Sequence, residues 1–222
     1  IFETKDHLYM IPESEASNSV ILYKCISFPY KWEKDKVILN NVKACDSVVF
    51  KNDLGQYLFI TSLMDEKSTN ERKNFCYVHN VMYELDEELN IIPDSKRELS
   101  EGDYGIRNAG KVIKTKSNLI RVAQNCTKGM YGKGLVFWEL DSYNPYKEHE
   151  LANIDYEKAC NHITHIDHNG KIEGIHTYNC SAHYEIIDFM IYNELPIYYK
   201  LYYFLGGRIF KIITKIEGFI KS

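Results

Sequence analysis

The chain has 222 residues, which fits one large domain or two small ones. Hydrophobic residues make up 45% and charged residues 26%, so the chain can bury a core, and disordered and low-complexity classes are excluded. A formal net charge of −4 argues against a nucleic-acid partner, because binding to phosphates needs a basic protein. The 18 tyrosines and 10 phenylalanines, with only five prolines, favour β-strands.

Six cysteines are scattered along the chain without the close spacing of a zinc site. The histidines at 162, 165 and 168 form an HxxHxxH pattern, but their segment lacks the strong helical flanks that would make them converge. We therefore expect no metal and no cofactor. Without a secretory signal or an apolar run of about 18 residues, the sequence predicts a cytoplasmic protein with reduced thiols.

One hairpin pattern occurs four times, starting at Ile1, Val48, Lys111 and His176. In each copy a short apolar strand and a polar turn precede a second strand with a hydrophobic quartet. The quartets occupy residues 8–11, 57–60, 119–122 and 184–187. Further strands are predicted at 19–26, 36–39, 75–85 and 134–140. The repeat predicts an all-β propeller over residues 1–193, and a β-sandwich is the alternative.

The last part of the chain, residues 194–222, has a helical pattern instead. Apolar residues recur on one helix face between 205 and 220, while Arg208, Lys211 and Lys215 fall on another face. A cationic amphipathic helix of this kind suits an anionic membrane surface, with residues 205–221 in contact. Docking onto the propeller or onto a partner domain is the alternative. A peripheral position at the inner membrane face follows from the first interpretation.

Six motifs carry a resemblance to a known family. They read HLYMIPES from residue 7, FPYKWE from 28, ACDS from 44, RNAG from 107, RVAQ from 121 and GIHTYN from 174. Together they resemble the β-propeller domain named after the N-terminal part of plant glucosamine inositolphosphorylceramide transferase, over residues 1 to about 190. Similar domains occur in bacteria beside sugar formyltransferases and glycosyltransferases, and the domain resembles the five-bladed propellers of family-43 glycoside hydrolases.

The resemblance implies a sugar or sugar-phosphate ligand and a glycosyltransferase or formyltransferase partner. The family has an earlier blade, with an Asp-Pro-Phe-like motif, that this chain does not match, so we expect a five-bladed type of propeller that is incomplete at its N-terminus. The resemblance also places Asp46, Arg107-Asn108 and His176 at corresponding inner-strand positions of three successive blades. We therefore expect Asp46, Arg107 and His176 to lie close together at one end of a central channel.

Glycoside hydrolysis needs two carboxyl groups across one bond. Only Asp46 is a secure axial carboxylate, so we expect this form of the chain not to be a competent glycosidase. Catalytic residues stay undetermined, with Asp46 and His176 as the candidates.

The predicted ligand-binding residues are Asp46, Arg107, Asn108, Gln124, His176 and Glu13. Structural roles are the alternative for several of them: an ion pair with Asp46 for Arg107, a strand-holding contact for His176 and a cap for Glu13. Three functions fit the sequence. The first is a carbohydrate-recognising accessory domain of a glycan- or glycolipid-modifying system. The others are a divergent glycoside hydrolase or sugar-transferring enzyme, and a non-catalytic interaction scaffold.

Overall fold

The computed structural model describes residues 1–13, 15–64, 77–160 and 171–192. Within these ranges the regular structure is almost all β. Helical geometry is limited to two short 3-10 turns, Glu15–Ser17 and Thr127–Gly129, and to one helix, α1 (Tyr156–Cys160). The predicted all-β class is confirmed.

Fifteen strands form four antiparallel sheets that follow one another along the described parts of the chain. The first sheet contains β1 (Phe2–Glu3), β2 (Leu8–Met10), β3 (Ser19–Ser27) and β4 (Lys31–Asn40). The second contains β5 (Ala44–Lys51), β6 (Tyr57–Leu63), β7 (Val78–Leu85) and β8 (Arg97–Gly102). The third contains β9 (Tyr104–Asn108), β10 (Ile113–Lys114), β11 (Leu119–Asn125), β12 (Gly134–Tyr143) and β13 (Tyr146–Asp155). The fourth pairs β14 (Lys171–Cys180) with β15 (Glu185–Tyr192).

Each sheet is a meander in which consecutive strands pair with each other. In the third sheet β9 and β10 both pair with β11, so together they act as one interrupted first strand. Successive four-stranded meanders are the building units of a propeller, and the predicted propeller type is therefore confirmed. The four hydrophobic quartets all overlap the second strand of a hairpin, as the repeat predicted.

Two strands are longer than the sequence pattern suggested. The strand predicted at 36–39 begins at Lys31, and the strand predicted at 134–140 continues to Tyr143. In β4 the charged residues of the KWEKDK segment obscure the alternation, because most of them face solvent while the backbone pairs with β3. Pairing with a neighbouring strand, rather than burial, therefore sets the length of this strand.

The hydrophobic core lies between the sheets. Along β6, Phe59 packs toward the first sheet beside Val20, whereas Leu58 and Ile60 pack toward the third sheet with Leu119. All three β6 side chains have no exposed surface. A strand covered on both faces reads as a continuous apolar run, which explains the hydrophobic quartets in the sequence.

The sheets belong to one compact unit formed by Ile1–His165 and Ile172–Met190. A second unit, Ile166–Lys171 with Ile191–Ser222, lies almost entirely outside the described residues. The predicted helix at 205–220 and the histidines at 162, 165 and 168 also lie outside them, and the boundary at 193 stays a prediction. No helix in the described ranges has the length and apolarity needed to cross a bilayer.

The first strands of neighbouring sheets contact each other through backbone. The Tyr178 N–H of β14 donates to the Ala109 carbonyl at 2.8 Å, just after β9. The next residue, Gly110, has a φ of 147°, and a Cβ atom there would lie 2.1 Å from the Tyr178 carbonyl oxygen. Only glycine fits this junction between the third and fourth sheets.

We predict that Gly110→Ala lowers the free energy of unfolding by about 3 kcal/mol or more, because the methyl group would force the two strands apart. Gly129→Ala is the matched control. Gly129 also has a positive φ, of 70°, but a Cβ there would meet nothing within 4 Å, so only a backbone cost of about 1 kcal/mol is expected. Urea denaturation measures both, and equal losses would contradict the close junction.

Candidate functional site

A β-bulge shapes the start of β5. The pairing register between β5 and β6 shifts between Cys45 and Val48, and Asp46 has a φ of 52°. Left-handed backbone is uncommon for residues other than glycine, although aspartate tolerates it better than most. Bulges redirect a side chain out of the regular alternation. Here the bulge directs the Asp46 carboxylate toward the third sheet.

The Asp46 carboxylate pairs with Arg107 of β9. The Arg107 Nε atom donates to Asp46 Oδ2 at 2.6 Å, and the two side chains are only 11% and 12% exposed. Burial alone would lower the pKa of the Arg107 guanidinium, but the charge and hydrogen bond of Asp46 raise that pKa above its ordinary value. Arg107 therefore keeps its positive charge, and its bond to Asp46 joins the first strands of the second and third sheets.

Two further side chains complete the hydrogen bonding of the Asp46 backbone. The Asp46 N–H donates to Glu13 Oε2 at 2.9 Å, and the Asp46 carbonyl accepts from Asn108 Nδ2 at 2.7 Å. A bulge takes backbone groups out of the strand ladder, and partly buried groups need other partners. Glu13 lies between β2 and β3 of the first sheet, and Asn108 ends β9 of the third, so groups next to two sheets hold Asp46.

His176 extends the cluster to the fourth sheet. Its Nε2 atom is hydrogen-bonded to the Tyr131 hydroxyl, and its Nδ1 atom lies 3.1 Å from Asp188 Oδ2. The Arg107 guanidinium carbon lies 5.5 Å from the centre of the Tyr131 ring. Asp46, Arg107 and His176 are thus brought into one chain of contacts, with Tyr131 between Arg107 and His176.

Asp188 on β15 is a charged group with several donors. The Thr177 N–H and the Thr177 hydroxyl both donate to its Oδ1 atom, the hydroxyl at 3.0 Å. Burial would raise the pKa of this carboxyl, but the two Thr177 bonds and the His176 contact lower it below its ordinary value. Asp188 is therefore ionised at neutral pH and can hold the His176 ring in place.

Arg121 is a buried residue that holds the backbone of β9 in place. This side chain is 1% exposed and donates to the carbonyls of Gly105 at 2.9 Å and Ile106 at 3.1 Å, and to Asn108 Oδ1 at 3.3 Å. Glu148 neutralises it through Nε at 2.9 Å and Nη2 at 2.5 Å. Arg121 therefore fixes the segment of β9 that carries Arg107 and Asn108.

Gln124 is buried behind Asn108. It is 1% exposed, its Nε2 atom donates to the Asn108 carbonyl at 3.3 Å, and its Oε1 atom accepts from the Cys126 thiol at 3.6 Å. These contacts give Gln124 a place behind Asn108. A role of Gln124 in ligand binding stays a prediction, as do the roles of the other candidates.

A cavity of about 240 Å³ opens beside the cluster. Its polar walls include Asp46, Asn108, Lys111, Thr177 and Asn179, which belong to three sheets and the β9–β10 junction. This volume lies below the usual range for drug-sized ligands, so the cavity has room for one small molecule. Within the described ranges, no three His, Cys, Asp or Glu side chains are grouped so that they could hold a metal ion.

Sequence reasoning missed Tyr131, Asp188 and Arg121. Tyr131 lies in the loop between β11 and β12, 45 residues from His176. The residues next to it in the sequence form no motif that points to a functional site. Asp188 was detectable, because a single carboxylate interrupts the otherwise apolar segment IIDFM. Arg121 was within the quoted RVAQ motif, and a charged residue inside a hydrophobic quartet indicates a buried ion pair.

Comparisons with known proteins show which sequences this chain is similar to. The Arabidopsis thaliana protein "Glucosamine inositolphosphorylceramide transferase 1" is 28% identical over 155 residues, which cover 68% of this chain and 19% of the plant protein. The protein of the same name from Oryza sativa subsp. japonica is 24% identical over 162 residues, or 72% of this chain and 21% of the rice protein. The chain thus spans about a fifth of the length of these relatives.

Solved structures with a similar course of the chain include two family-43 proteins. A β-xylosidase/α-arabinofuranosidase from a compost metagenome has a TM-score of 0.49 and 11% identity, covering 67% of this chain and 54% of its own. A GH43_12 protein from a capybara gut metagenome has a TM-score of 0.47 and 18% identity, covering 65% and 28%.

The pattern of one protein family matches residues 1–174, which is most of the chain. This match confirms the resemblance carried by the six motifs. The chain belongs to the family described as "Glucosamine inositolphosphorylceramide transferase 1, N-terminal".

Proposed function

We propose that this chain is a carbohydrate-recognising propeller domain that serves a glycan- or glycolipid-modifying system, beside a glycosyltransferase or formyltransferase domain. The family name supports the setting, because the relatives are named for a transferase that handles glucosamine and inositolphosphorylceramide. The ligand is a sugar or a sugar phosphate. The predicted ligand-binding residues are Asp46, Arg107, Asn108 and His176, with Glu13 and Gln124 as supporting members.

The single observation that carries this proposal is the convergence of Asp46, Asn108 and Thr177 on one small cavity. A sugar ring offers hydroxyl groups that both donate and accept, and carboxylate, amide and hydroxyl side chains match them. The apolar residues Phe2 and Val48 form another part of the wall. Such a wall suits the C–H surface of a sugar, as expected for a pocket with a few placed polar groups.

The charges around the cavity favour a ligand that carries a phosphate. Lys111 lines the cavity. Arg107 lies behind the cavity wall, where it is paired with Asp46, a residue of the wall. Lysine and arginine are the usual partners of phosphate oxygens. The Asp46 carboxylate, in turn, matches the amino group of an amino sugar. A glucosamine phosphate therefore has both a phosphate group for the basic side chains and an amino group for Asp46.

Isothermal titration calorimetry with glucosamine 1-phosphate tests this proposal, with glucosamine and inorganic phosphate as comparison ligands. We predict saturable binding that is tightest for the sugar phosphate. Asp46→Asn is expected to raise the Kd about tenfold or more, since hydrogen bonds to charged groups contribute about 1.5–3 kcal/mol. Lys111→Met is expected to raise the Kd about fivefold.

Lys116→Met is the matched control, because Lys116 is also exposed but lies in the turn between β10 and β11 and does not line the cavity. Its Kd should equal that of the unchanged protein. If no sugar or sugar phosphate binds, the interaction scaffold becomes the better account. If Lys111→Met and Lys116→Met behave alike, the ligand does not occupy this cavity.

A divergent glycoside hydrolase or sugar-transferring enzyme acting through Asp46 and His176 remains the second candidate. The observation in its favour is that each of these residues contacts a further carboxylate, Glu13 at the Asp46 N–H and Asp188 at the His176 ring. Two carboxyl groups near one substrate are what glycoside hydrolysis requires. Turnover of glycosides that is lost in Asp46→Asn would favour this candidate, whereas binding without turnover favours the accessory domain.

We also propose that residues 205–221 attach the protein peripherally to an anionic membrane at the cytoplasmic face. The support is the sequence pattern, in which basic residues flank an apolar helical stripe. Co-sedimentation with phosphatidylserine vesicles should exceed that with phosphatidylcholine vesicles, and salt should weaken it. Reversing two charges, with Lys211→Glu and Lys215→Glu, should reduce partitioning on the order of tenfold or more, at about 1 kcal/mol per residue.

The control for the membrane experiment reverses two exposed lysines of the β10–β11 hairpin, with Lys114→Glu and Lys116→Glu. These changes alter the net charge equally but leave the terminal segment unchanged. Equal losses in both double variants would mean that net charge, and not residues 205–221, drives the association.

A further inference from the structure

The contacts of Tyr131 suggest chemistry beyond binding. Its hydroxyl is hydrogen-bonded to His176 Nε2, and the opposite ring nitrogen, Nδ1, lies 3.1 Å from Asp188 Oδ2. A hydroxyl, an imidazole and a carboxylate in this order form the arrangement that activates a nucleophile. We propose that Tyr131 carries the reactive hydroxyl of this site, with His176 as its base and Asp188 as the residue that positions the base.

The Asp188 contact sets the tautomer of the imidazole. A carboxylate beside Nδ1 favours the proton on that nitrogen, and the lone pair of Nε2 then faces the Tyr131 hydroxyl. Asp188 is itself held by the backbone and hydroxyl of Thr177, so it cannot turn away without losing two hydrogen bonds. His176 is therefore oriented to accept the phenolic proton.

Arg107 supplies positive charge over the face of the Tyr131 ring. Its guanidinium carbon lies 5.5 Å from the centre of the ring, within the range in which a cation and an aromatic ring interact. A phenolate that develops during a reaction would be stabilised by this fixed charge. The ion pair with Asp46 keeps the guanidinium in place.

Backbone contacts position Tyr131 before any ligand arrives. The neighbouring Gly132 has a φ of 72°, and its carbonyl accepts the Ile175 N–H of β14 at 2.7 Å. A Cβ atom at Gly132 would lie 3.2 Å from the Ile175 carbonyl oxygen, so the loop and the strand approach closely. Because Ile175 precedes His176, this bond sets Tyr131 beside the imidazole.

The reaction that this arrangement supports is substitution at an electrophilic carbon that carries an oxygen leaving group, as in a sugar ester or a glycoside. The Tyr131 oxygen bonds to the carbon while the bond from carbon to the leaving oxygen breaks. The phenolic proton passes to His176 Nε2 and then to the leaving oxygen. No second carboxylate is needed for this step, because the imidazole acts first as base and then as acid.

Only the choice of a sugar derivative as substrate rests on the proposed function. The reactivity of Tyr131 can be tested without a sugar, using p-nitrophenyl acetate, a small carbon electrophile with an oxygen leaving group. Its reaction with a tyrosine yields acetyltyrosine and p-nitrophenol, and peptide mass spectrometry measures the rate at each tyrosine. Tyr30, which is 94% exposed, is the internal control in the same chain.

We expect Tyr131 to be acetylated on the order of 10²-fold faster than Tyr30, although it is less exposed, because general bases contribute that much. His176→Gln should bring the Tyr131 rate down to that of Tyr30. Asp188→Asn should lower it several-fold, and Tyr131→Phe should remove the fast site. The unchanged rate at Tyr30 in each variant shows that the probe is intact, and the circular dichroism spectrum of each variant checks the fold.

A Tyr131 rate at or below the Tyr30 rate in the unchanged protein would overturn the proposal and leave the Tyr131–His176 bond a structural contact. So would a fast Tyr131 rate that persists in His176→Gln, since the imidazole would then not be its base. Failure of sugar-phosphate binding leaves this measurement untouched, so the two proposals fail independently.

Discussion

The ion pair between Asp46 and Arg107 links the first strands of two neighbouring sheets, and the rest of the site is arranged around it. The two side chains are almost buried, so each charge has lost most of its contact with water. Removing one partner of such a pair leaves an uncompensated charge and costs about 3–5 kcal/mol. The pair also explains the bulge at Asp46, because a regular strand would direct this carboxylate elsewhere.

From this pair the contacts run outward into every sheet. Glu13 reaches the Asp46 backbone from the first sheet, and Tyr131 connects Arg107 with His176 of the fourth. Behind β9 the buried pair of Arg121 and Glu148 holds the strand itself. Side chains that are fixed by a second layer of hydrogen bonds keep their positions without a ligand, which reduces the ordering that any binding event would require.

The sequence predicted the strands better than the site. Alternating and continuous apolar runs located the hairpins, because packing between sheets makes burial regular along each strand. Outer strands such as β4 were harder, since pairing alone sets their length. Asp46, Arg107 and His176 were identified because the resemblance placed them at equivalent strand positions. Tyr131 was missed because its contact with His176 depends on how a loop folds back, and no local pattern records that.

A double-mutant cycle for Asp46→Asn and Arg107→Gln tests the central claim most directly. The unfolding free energies of the two single variants, the double variant and the unchanged protein would be measured by urea denaturation. If the pair links the sheets as described, the double variant loses less stability than the sum of the single losses, with a coupling of about 1–3 kcal/mol. Losses that add to within about 0.5 kcal/mol would contradict the account, because the two residues would then not depend on each other.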